Sequence, residues 1–286
     1  MVLAEAIALV KQKLAGIYSV GEVDTIAQQL TTFYFNISKV HYYTNRSARI
    51  EDENVQPFLQ AVDRLEQHCP LQYVLGQAEF CGLTFHVAPE VLIPRPETEE
   101  LVYWVHNHFK EYGSTIRLLD IGTGSGAIAV SLAHLLPKAE VTAVDISQAA
   151  LAVASENAQQ NNVDVQFLQA DIFSPSAELR QCMFDVIVSN PPYVRELEKQ
   201  QMKPNVLRYE PHLALFVPDS DPLKYYRAVA DFAADNLSKS GIIYLEINEE
   251  LGTETERLFT AGGRYTTELR CDMNGKPRML AAKRLK

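Results

Sequence analysis

The sequence has few cysteines, and none of them lies in a pattern typical of a metal site or a redox motif. The four are isolated, with no Cys-x-x-Cys pair and no nearby histidine pattern. His106 and His108 offer no alternative, because two residues apart on a helix they lie on different faces. We therefore expect no metal site and four reduced thiols: Cys69, Cys81, Cys182 and Cys271.

Long apolar runs are also missing. No stretch approaches the roughly 20 residues that a bilayer span needs, and the first residues lack a charged region followed by a signal-type apolar core. We therefore expect a cytoplasmic protein. Internal repeats and low-complexity segments are absent as well, and 286 residues with 47% hydrophobic content can form one sizeable core and a smaller one.

Positive charge is scarce. With 26 basic and 36 acidic residues, the net charge is −10, which opposes a broad nucleic-acid footprint because phosphate binding depends on clustered Lys and Arg. One cluster of basic residues is interleaved with acidic ones, so we interpret it as a solvated loop of mixed charge. Its members are Arg195, Glu196, Glu198, Lys199, Lys203, Arg208 and Glu210.

The first third of the chain has apolar residues at helical spacing, which predicts a small helical bundle. Three stripes carry this pattern: Leu3, Ile7, Val10, Leu14 and Ile17; Ile26, Leu30, Phe33 and Ile37; Val55, Phe58, Val62 and Leu65. The pattern then changes to short β-like segments around Gly82, which predict a hairpin. Beyond it, Pro94 and Pro96 stiffen a turn, and Arg95 between them could face an active-site crevice.

From Ile116 onward, strand-like and helix-like segments alternate, which predicts a doubly wound α/β domain with a mostly parallel sheet. Asn274 and Gly275 predict a final hairpin that closes the sheet with an antiparallel edge. The first strand runs into a glycine-rich turn: Gly122, Thr123, Gly124, Ser125 and Gly126. Its Gly-x-Gly-x-Gly spacing differs from the fingerprints of NAD-binding and ATP-binding folds.

Acidic residues follow the next two strands. Asp145 comes after Val141 to Val144, where a ribose-binding carboxylate follows the glycine turn in nucleoside-binding units. A helix cap for the following segment is the alternative. Asp171 and Phe173 end the third strand, where a carboxylate and an aromatic ring suit an adenine amino group and ring face.

Asn190, Pro191, Pro192 and Tyr193 follow a fourth apolar strand, Phe184 to Ser189. The Asn190 side-chain oxygen and the carbonyl of rigid Pro191 could together accept both hydrogens of one NH2 group. The alternative is that Asn-Pro-Pro only ends the strand. Because ligands in such sheets bind beyond the carboxyl ends of the strands, we expect all four strand ends to meet at one crevice.

These motifs together resemble class I S-adenosylmethionine-dependent methyltransferases, and Asn-Pro-Pro-Tyr resembles the group that methylates amino or amide nitrogens. The segment from Leu92 to Glu99, Leu-Ile-Pro-Arg-Pro-Glu-Thr-Glu, is similar to the HemK/PrmC family. Two further segments fit the same family: Pro70 to Gly76 and Tyr209 to Phe216. Members of this family methylate the glutamine of the Gly-Gly-Gln loop in peptide chain release factors.

The resemblance implies specific roles. Gly122 to Gly126, Asp145, Asp171 and Phe173 would hold S-adenosyl-L-methionine, with Asn190 beside it. Asn190, Pro191, Pro192 and Tyr193 would hold the substrate glutamine, and Asn190, Pro191 and Tyr193 would serve catalysis. A nucleic-acid amino methyltransferase and a cofactor-binding scaffold without turnover remain alternative functions.

We expect a monomer with three parts: a helical bundle at residues 1–76, a hairpin linker at 77–90 and the methyltransferase domain at 91–286. The predicted fold class is α/β: a doubly wound, mostly parallel sheet of the Rossmann-like class I methyltransferase type, with a small N-terminal helical domain. The release factor is the expected protein partner, and neither a membrane nor a nucleic acid is expected to bind.

Overall fold

A computed structural model describes residues 1–285 of the chain. The chain divides into two compact units. The smaller one comprises residues 1–77 and 203–209, and the larger one comprises residues 78–202 and 210–286. A short segment from the second half of the chain therefore belongs to the smaller unit.

The smaller unit is helical, as predicted. Its helices are α1 (Leu3–Leu14), α2 (Val20–Tyr34), α3 (Lys39–Thr44), α4 (Asp52–Glu66) and α5 (Leu71–Leu75), together with α10 (Pro204–Tyr209). The predicted stripes supply the core, since Leu14, Leu30, Phe58 and Leu65 have no exposed side-chain surface. Burial of these apolar faces holds the short helices together.

Two of these helices end earlier than the apolar pattern predicts. Gly16 (φ +81°) follows α1, and Asn36 (φ +49°) follows α2, so left-handed backbone ends both helices and leaves Ile17 and Ile37 outside them. Phe33, expected in the core, is 41% exposed. The periodicity of apolar residues alone does not predict where such left-handed residues end a helix.

The predicted hairpin consists of β1 (Gln77–Phe80) and β2 (Leu83–His86), and the larger unit begins within β1, at residue 78. Its two turn residues, Cys81 (φ +49°) and Gly82 (φ +76°), both have positive φ, as a type I′ hairpin turn requires. Two further short strands, β7 (Val194–Arg195) and β8 (Phe216–Val217), pair in parallel with each other.

A seven-stranded sheet forms the centre of the larger unit, in the order β10-β11-β9-β6-β3-β4-β5. Its strands are β3 (Arg117–Ile121), β4 (Glu140–Asp145), β5 (Gln166–Gln169), β6 (Phe184–Ser189), β9 (Leu237–Glu246), β10 (Tyr265–Cys271) and β11 (Pro277–Arg284). Neighbours from β5 to β9 run parallel, whereas β11 is antiparallel to both β9 and β10. The predicted mostly parallel sheet and its antiparallel edge are confirmed.

Helices cover both faces of this sheet, as an all-buried parallel sheet requires. They are α6 (Pro96–Phe109), α7 (Ala127–Leu135), α8 (Gln148–Gln160), α9 (Ala177–Arg180), α11 (Lys224–Asn236) and α12 (Gly252–Thr260). On β6, Val186 and Val188 pack into the core below α6 and α7, while Ile187 packs into the core below α11 and α12. This two-sided burial explains the unbroken apolar run of β6.

The final hairpin of the chain is held by one carboxylate. Asp272 Oδ1 accepts hydrogen bonds from the backbone N–H groups of Asn274 (2.9 Å) and Lys276 (3.0 Å). Gly275 at φ +79° completes the predicted turn between β10 and β11. Among residues 1–285, no helix has both the length and the apolar character needed to cross a membrane.

We predict that Ile187→Ala lowers the free energy of unfolding of the larger unit by about 2–5 kcal/mol, because it leaves a cavity at a fully buried site. Trp104, the only tryptophan of the chain, lies in α6 of this unit, so its fluorescence during urea unfolding reports the loss. Met273→Ala removes a 70% exposed side chain and should change the value by less than about 0.5 kcal/mol. Equal effects of the two substitutions would contradict this account of the core.

Candidate active site

A cavity of about 440 Å³ lies at the carboxyl ends of the parallel strands in the larger unit. The four strand ends singled out in the sequence meet there, as predicted. Its lining includes Gly122, Thr123, Gly124, Ser125, Asp145, Asp171, Phe173, Asn190, Pro191 and Pro192. Of the predicted site residues, only Gly126 and Tyr193 are not part of this lining.

The glycine-rich turn between β3 and α7 forms one wall of the cavity. Gly122 N and Thr123 N both donate to Val144 O, at 2.8 and 3.0 Å, which ties the turn to β4. Gly126 has φ +79°, and a Cβ there would lie 3.0 Å from the Ala154 Cβ in α8. Gly126 therefore allows close packing of α8 behind the turn instead of facing the cavity.

Asp145 at the end of β4 is tied to the same turn. Its Oδ2 accepts from Gly124 N and its Oδ1 from Ser147 N, both at 2.9 Å. Burial raises the pKa of this carboxyl. Ser147 itself caps α8 by accepting from Ala150 N, so Asp145 is not the cap of that helix. Carboxylate oxygens have further lone pairs, so Asp145 can still accept hydrogen bonds from ligand hydroxyl groups.

An aromatic pair lies beyond the end of β5. Asp171 Oδ1 accepts from Phe173 N at 2.9 Å, and the Phe173 ring, 49% exposed, lies 5.1 Å from the ring of Tyr225. The Lys224 ammonium lies 5.0 Å from the Phe173 ring centre. Tyr225 and Lys224 also line the cavity, although nothing in the sequence near α11 indicated them.

Asn190 follows β6, whose last residue Ser189 is fully buried and donates through Oγ to Ile121 O at 2.6 Å. The Asn190 amide nitrogen donates to Thr98 Oγ1 at 3.1 Å. The amide oxygen and the second N–H hydrogen of Asn190 therefore remain for a ligand, and the oxygen could serve as the acceptor expected from the sequence.

Tyr193 lies behind the cavity wall. Its hydroxyl donates to Glu246 Oε1 at 2.8 Å, and its ring packs on the core below α11. Burial, together with the nearby Glu246 carboxylate, raises the pKa of Tyr193 well above its ordinary value. Glu246 also accepts from Thr98 Oγ1 at 2.6 Å. We did not predict Thr98 or Glu246; the only sequence signal was a lone acidic residue in the apolar run of β9.

Arg95 lines the cavity, as the hypothesis from the sequence had it. Its guanidinium pairs with Glu210 at 2.6 Å, and the Glu210 side chain is almost fully buried. Glu210 also accepts from Ile93 N at 3.3 Å. This carboxylate therefore joins the segment before α6 to the loop before β8. The described residues contain no cluster of metal-ligating side chains.

The basic residues after Asn190 pair locally with acidic ones. Arg195 Nε lies 2.6 Å from Glu198 Oε1, and its guanidinium also pairs with Glu250. Lys199 pairs with Glu196 one turn away. These ion pairs agree with the interpretation of this loop as one of mixed charge.

The family models and the curated relatives that match this chain all indicate the same protein family. Residues 5–76 match the PrmC N-terminal domain, and residues 103–208 match the methyltransferase small domain. The release factor glutamine methyltransferase of Flavobacterium psychrophilum is 42% identical over 94% of each chain. That of Bacteroides thetaiotaomicron is 41% identical over 97% of this chain and 98% of its own.

The chain belongs to the release factor glutamine methyltransferase family. Among solved structures, the 16S rRNA N2 G1207 methyltransferase of T. Thermophilus, in complex with AdoMet and guanosine, has a TM-score of 0.52. It is 21% identical, and the match covers 73% of this chain and 50% of that one. At this identity the likeness supports the class I methyltransferase fold alone.

Asp120, near the end of β3, does not line the cavity but supports the glycine-rich turn from behind, which the sequence did not reveal. It is fully buried, and its Oδ2 accepts from Thr123 Oγ1 of the glycine-rich turn at 2.7 Å. Its Oδ1 has no hydrogen-bond partner among residues 1–285. Burial raises the pKa of Asp120 to about 7, despite the opposing effect of the Thr123 hydroxyl.

This shift predicts a pH-dependent stability. Between pH 4 and 7 the unfolded chain loses the Asp120 proton while the folded chain keeps it, so the free energy of unfolding falls as pH rises. Relative to Asp120→Asn, we expect the wild type to lose about 4 kcal/mol between pH 4 and pH 8. Urea unfolding followed by Trp104 fluorescence measures this difference. Exposed Asp164→Asn is the control, and parallel curves for wild type and Asp120→Asn would contradict the prediction.

Proposed function

We propose that this protein transfers a methyl group from S-adenosyl-L-methionine to the side-chain amide nitrogen of the Gly-Gly-Gln glutamine in peptide chain release factors. The observation that carries the proposal is the Asn190 amide, which lies in the cavity wall with its nitrogen bonded to Thr98. Its oxygen is thus available to a ligand NH2 group. Family membership and the Asn-Pro-Pro-Tyr motif support the same substrate.

The lining of the cavity fits the proposed cofactor. About 440 Å³ is within the range of small-molecule sites. The turn at Gly122 to Ser125 would approach its amino-acid part, Asp145 would accept from the ribose, and Asp171 and Phe173 would meet the adenine. When bound, S-adenosyl-L-methionine supplies an electrophilic methyl group on a positively charged sulfur.

An amide nitrogen is a poor nucleophile because its lone pair is delocalised into the carbonyl. Asn190 Oδ1 and the Pro191 carbonyl would accept its two N–H groups and fix its direction. Pro191 restricts the backbone of Asn190, which limits the freedom of both acceptors. Well-oriented reactants can recover about 7–11 kcal/mol of a reaction barrier, so positioning can supply most of the acceleration.

Tyr193 has a different role in this proposal from the one expected from the sequence. Its hydroxyl is bonded to Glu246, and the side chain is not part of the cavity lining. We propose that Tyr193 supports the wall behind Asn190 instead of packing against the glutamine amide. Pro192, which does line the cavity, is available for that contact.

Three further proposals concern the location, the domain bounds and the oligomeric state of the protein. Release factors act with the ribosome, so we propose a cytoplasmic protein, and we retain the proposed parts at residues 1–76, 77–90 and 91–286. We further propose that it acts as a monomer, because the residues that form the cavity all come from a single larger unit.

Methyl-labelled S-adenosylmethionine tests the reaction directly. The protein is incubated with a release factor, with the same factor whose Gly-Gly-Gln glutamine is replaced, and with a nucleic acid. We expect label on the unaltered factor alone. Label only on the nucleic acid would replace the proposed substrate, and binding of cofactor without transfer to any of them would favour a scaffold.

We predict that Asn190→Ala lowers kcat by more than about 100-fold, because it removes an acceptor that positions the nucleophile. Cofactor affinity, measured by calorimetry, should stay within a few fold, since the turn, Asp145 and Phe173 are unchanged. Asn107→Ala, on the exposed side of α6, is the control and should retain full turnover. An equal loss of turnover and cofactor binding in Asn190→Ala would disprove the assigned role.

A further inference from the structure

Two hydrogen bonds connect Asn190 through Thr98 to a buried carboxylate, and a third bond holds that carboxylate from its other side. Asn190 Nδ2 donates to Thr98 Oγ1 at 3.1 Å, and Thr98 Oγ1 donates to Glu246 Oε2 at 2.6 Å. Tyr193 donates to the other oxygen, Glu246 Oε1, at 2.8 Å. These bonds join three separate elements of the larger unit, because Thr98 lies in α6, Glu246 ends β9 and Asn190 follows β6.

The direction of these bonds follows from counting protons. Burial raises the pKa of Glu246, whereas the hydrogen bonds from Thr98 and Tyr193 and the charge of Arg278 favour its ionised form. A threonine hydroxyl has one hydrogen, and the ionised carboxylate can only accept. Because the Thr98 hydrogen is directed at Glu246, the Thr98 oxygen can only accept from its other neighbour. The group of Asn190 that faces Thr98 must therefore be the NH2 group and not the carbonyl oxygen.

We infer that Thr98 and Glu246 are positioning residues that fix the orientation of the Asn190 amide and keep its oxygen toward the cavity. The inference rests on the proposed function, in which Asn190 Oδ1 accepts from the substrate amide. Neither residue needs to touch the reacting atoms for this role.

The opposite orientation of the amide is unfavourable for two reasons. A half-turn of the Asn190 side chain would bring Oδ1 against Thr98 Oγ1, whose hydrogen is already given to Glu246. Two acceptors would then face each other at Thr98, which is only 4% exposed, and such an unpaired contact is costly. The Asn190 NH2 group would also face the NH2 group of the substrate, so that two donors would meet.

Glu246 suits this role because it is itself held in place. Its side chain is only 1% exposed, and both of its oxygens are bonded. Because an unpaired buried charge is strongly disfavoured, the ionised Glu246 requires hydrogen-bond donors at both of its oxygens. Thr98 and Tyr193 therefore stay directed at Glu246, and the Thr98 oxygen stays available to Asn190.

Substitution of Thr98 tests the inference without a large change of shape. Thr98→Val keeps the branched side chain but removes the hydroxyl, so both orientations of Asn190 become accessible. We expect kcat for methyl transfer to a release factor to fall about tenfold or more, with KM and cofactor affinity within about twofold. Thr98→Ser, a separate variant, retains a hydroxyl, and its kcat should stay within about threefold of the wild-type value.

A matched control comes from the same unit. Thr255→Val also removes a buried threonine hydroxyl, but that hydroxyl donates to Leu251 O within its own helix. It should leave kcat unchanged. Thermal unfolding followed by Trp104 fluorescence compares the stability of the variants, so a loss of turnover can be separated from a loss of folded protein.

Glu246→Gln is an independent variant. Its amide can donate to Thr98 Oγ1, which frees the Thr98 hydrogen for Asn190 Oδ1 and favours the wrong orientation. We expect kcat to fall at least as far as in Thr98→Val, and the double variant to fall no further than the larger single effect. Additive losses would indicate separate roles and would contradict the inference.

Three results overturn the inference. Thr98→Val could turn over like the wild type, Thr98→Ser could fail to retain kcat, or the loss of turnover could match the loss of folded protein and cofactor binding. In each of these cases the wild type still methylates the release factor, so the proposed function stands. A wild type that transfers no methyl group would overturn the proposed function, and the inference with it.

Discussion

The parallel pairing of β3 with β4 and β6 determines where the functional groups of this protein lie. Leu118 pairs with Val141 on one side and with Val186 on the other, so these strands end at the same level of the sheet. The residues that follow them therefore converge on one edge. Helices on both faces bury the sheet, and the cavity at this edge is the place where polar groups of several strands meet a ligand.

Buried carboxylates support this edge from behind. Asp120 at the end of β3 and Glu246 at the end of β9 are both inaccessible to water, and each accepts a hydrogen bond from a threonine. Thr123 belongs to the glycine-rich turn and Thr98 contacts Asn190, so each carboxylate orders one wall of the cavity. A buried carboxyl group constrains its hydrogen-bond partners strongly, which suits a site whose chemistry depends on the direction of hydrogen bonds.

The predictions that succeeded from the sequence depend on local patterns. Unbroken apolar runs identified β6 and its neighbours, and the residues directly after each strand, from Gly122 to Asn190, were found to share one cavity. The residues that were missed depend on distant contacts. Thr98 lies 148 residues before Glu246, and its place at the start of α6 reveals nothing about β9.

The direction of a side chain was also beyond the sequence. Tyr193 follows Asn190 by three residues, yet its hydroxyl turns to Glu246 behind the wall because a buried carboxylate needs donors. Gly126 likewise belongs to the turn motif but packs against Ala154. Both cases show that membership of a motif does not by itself put a side chain in contact with a ligand.

The central claim is that the Asn190 oxygen and the Pro191 carbonyl hold the amide nitrogen of the substrate glutamine. A crystal structure of the protein with S-adenosylhomocysteine and a release factor, or its Gly-Gly-Gln peptide, tests this most directly. The account predicts that the glutamine nitrogen lies within hydrogen-bond distance of both oxygens and points toward the cofactor sulfur. A glutamine amide bound elsewhere, or an Asn190 whose NH2 group faces the substrate, would contradict it.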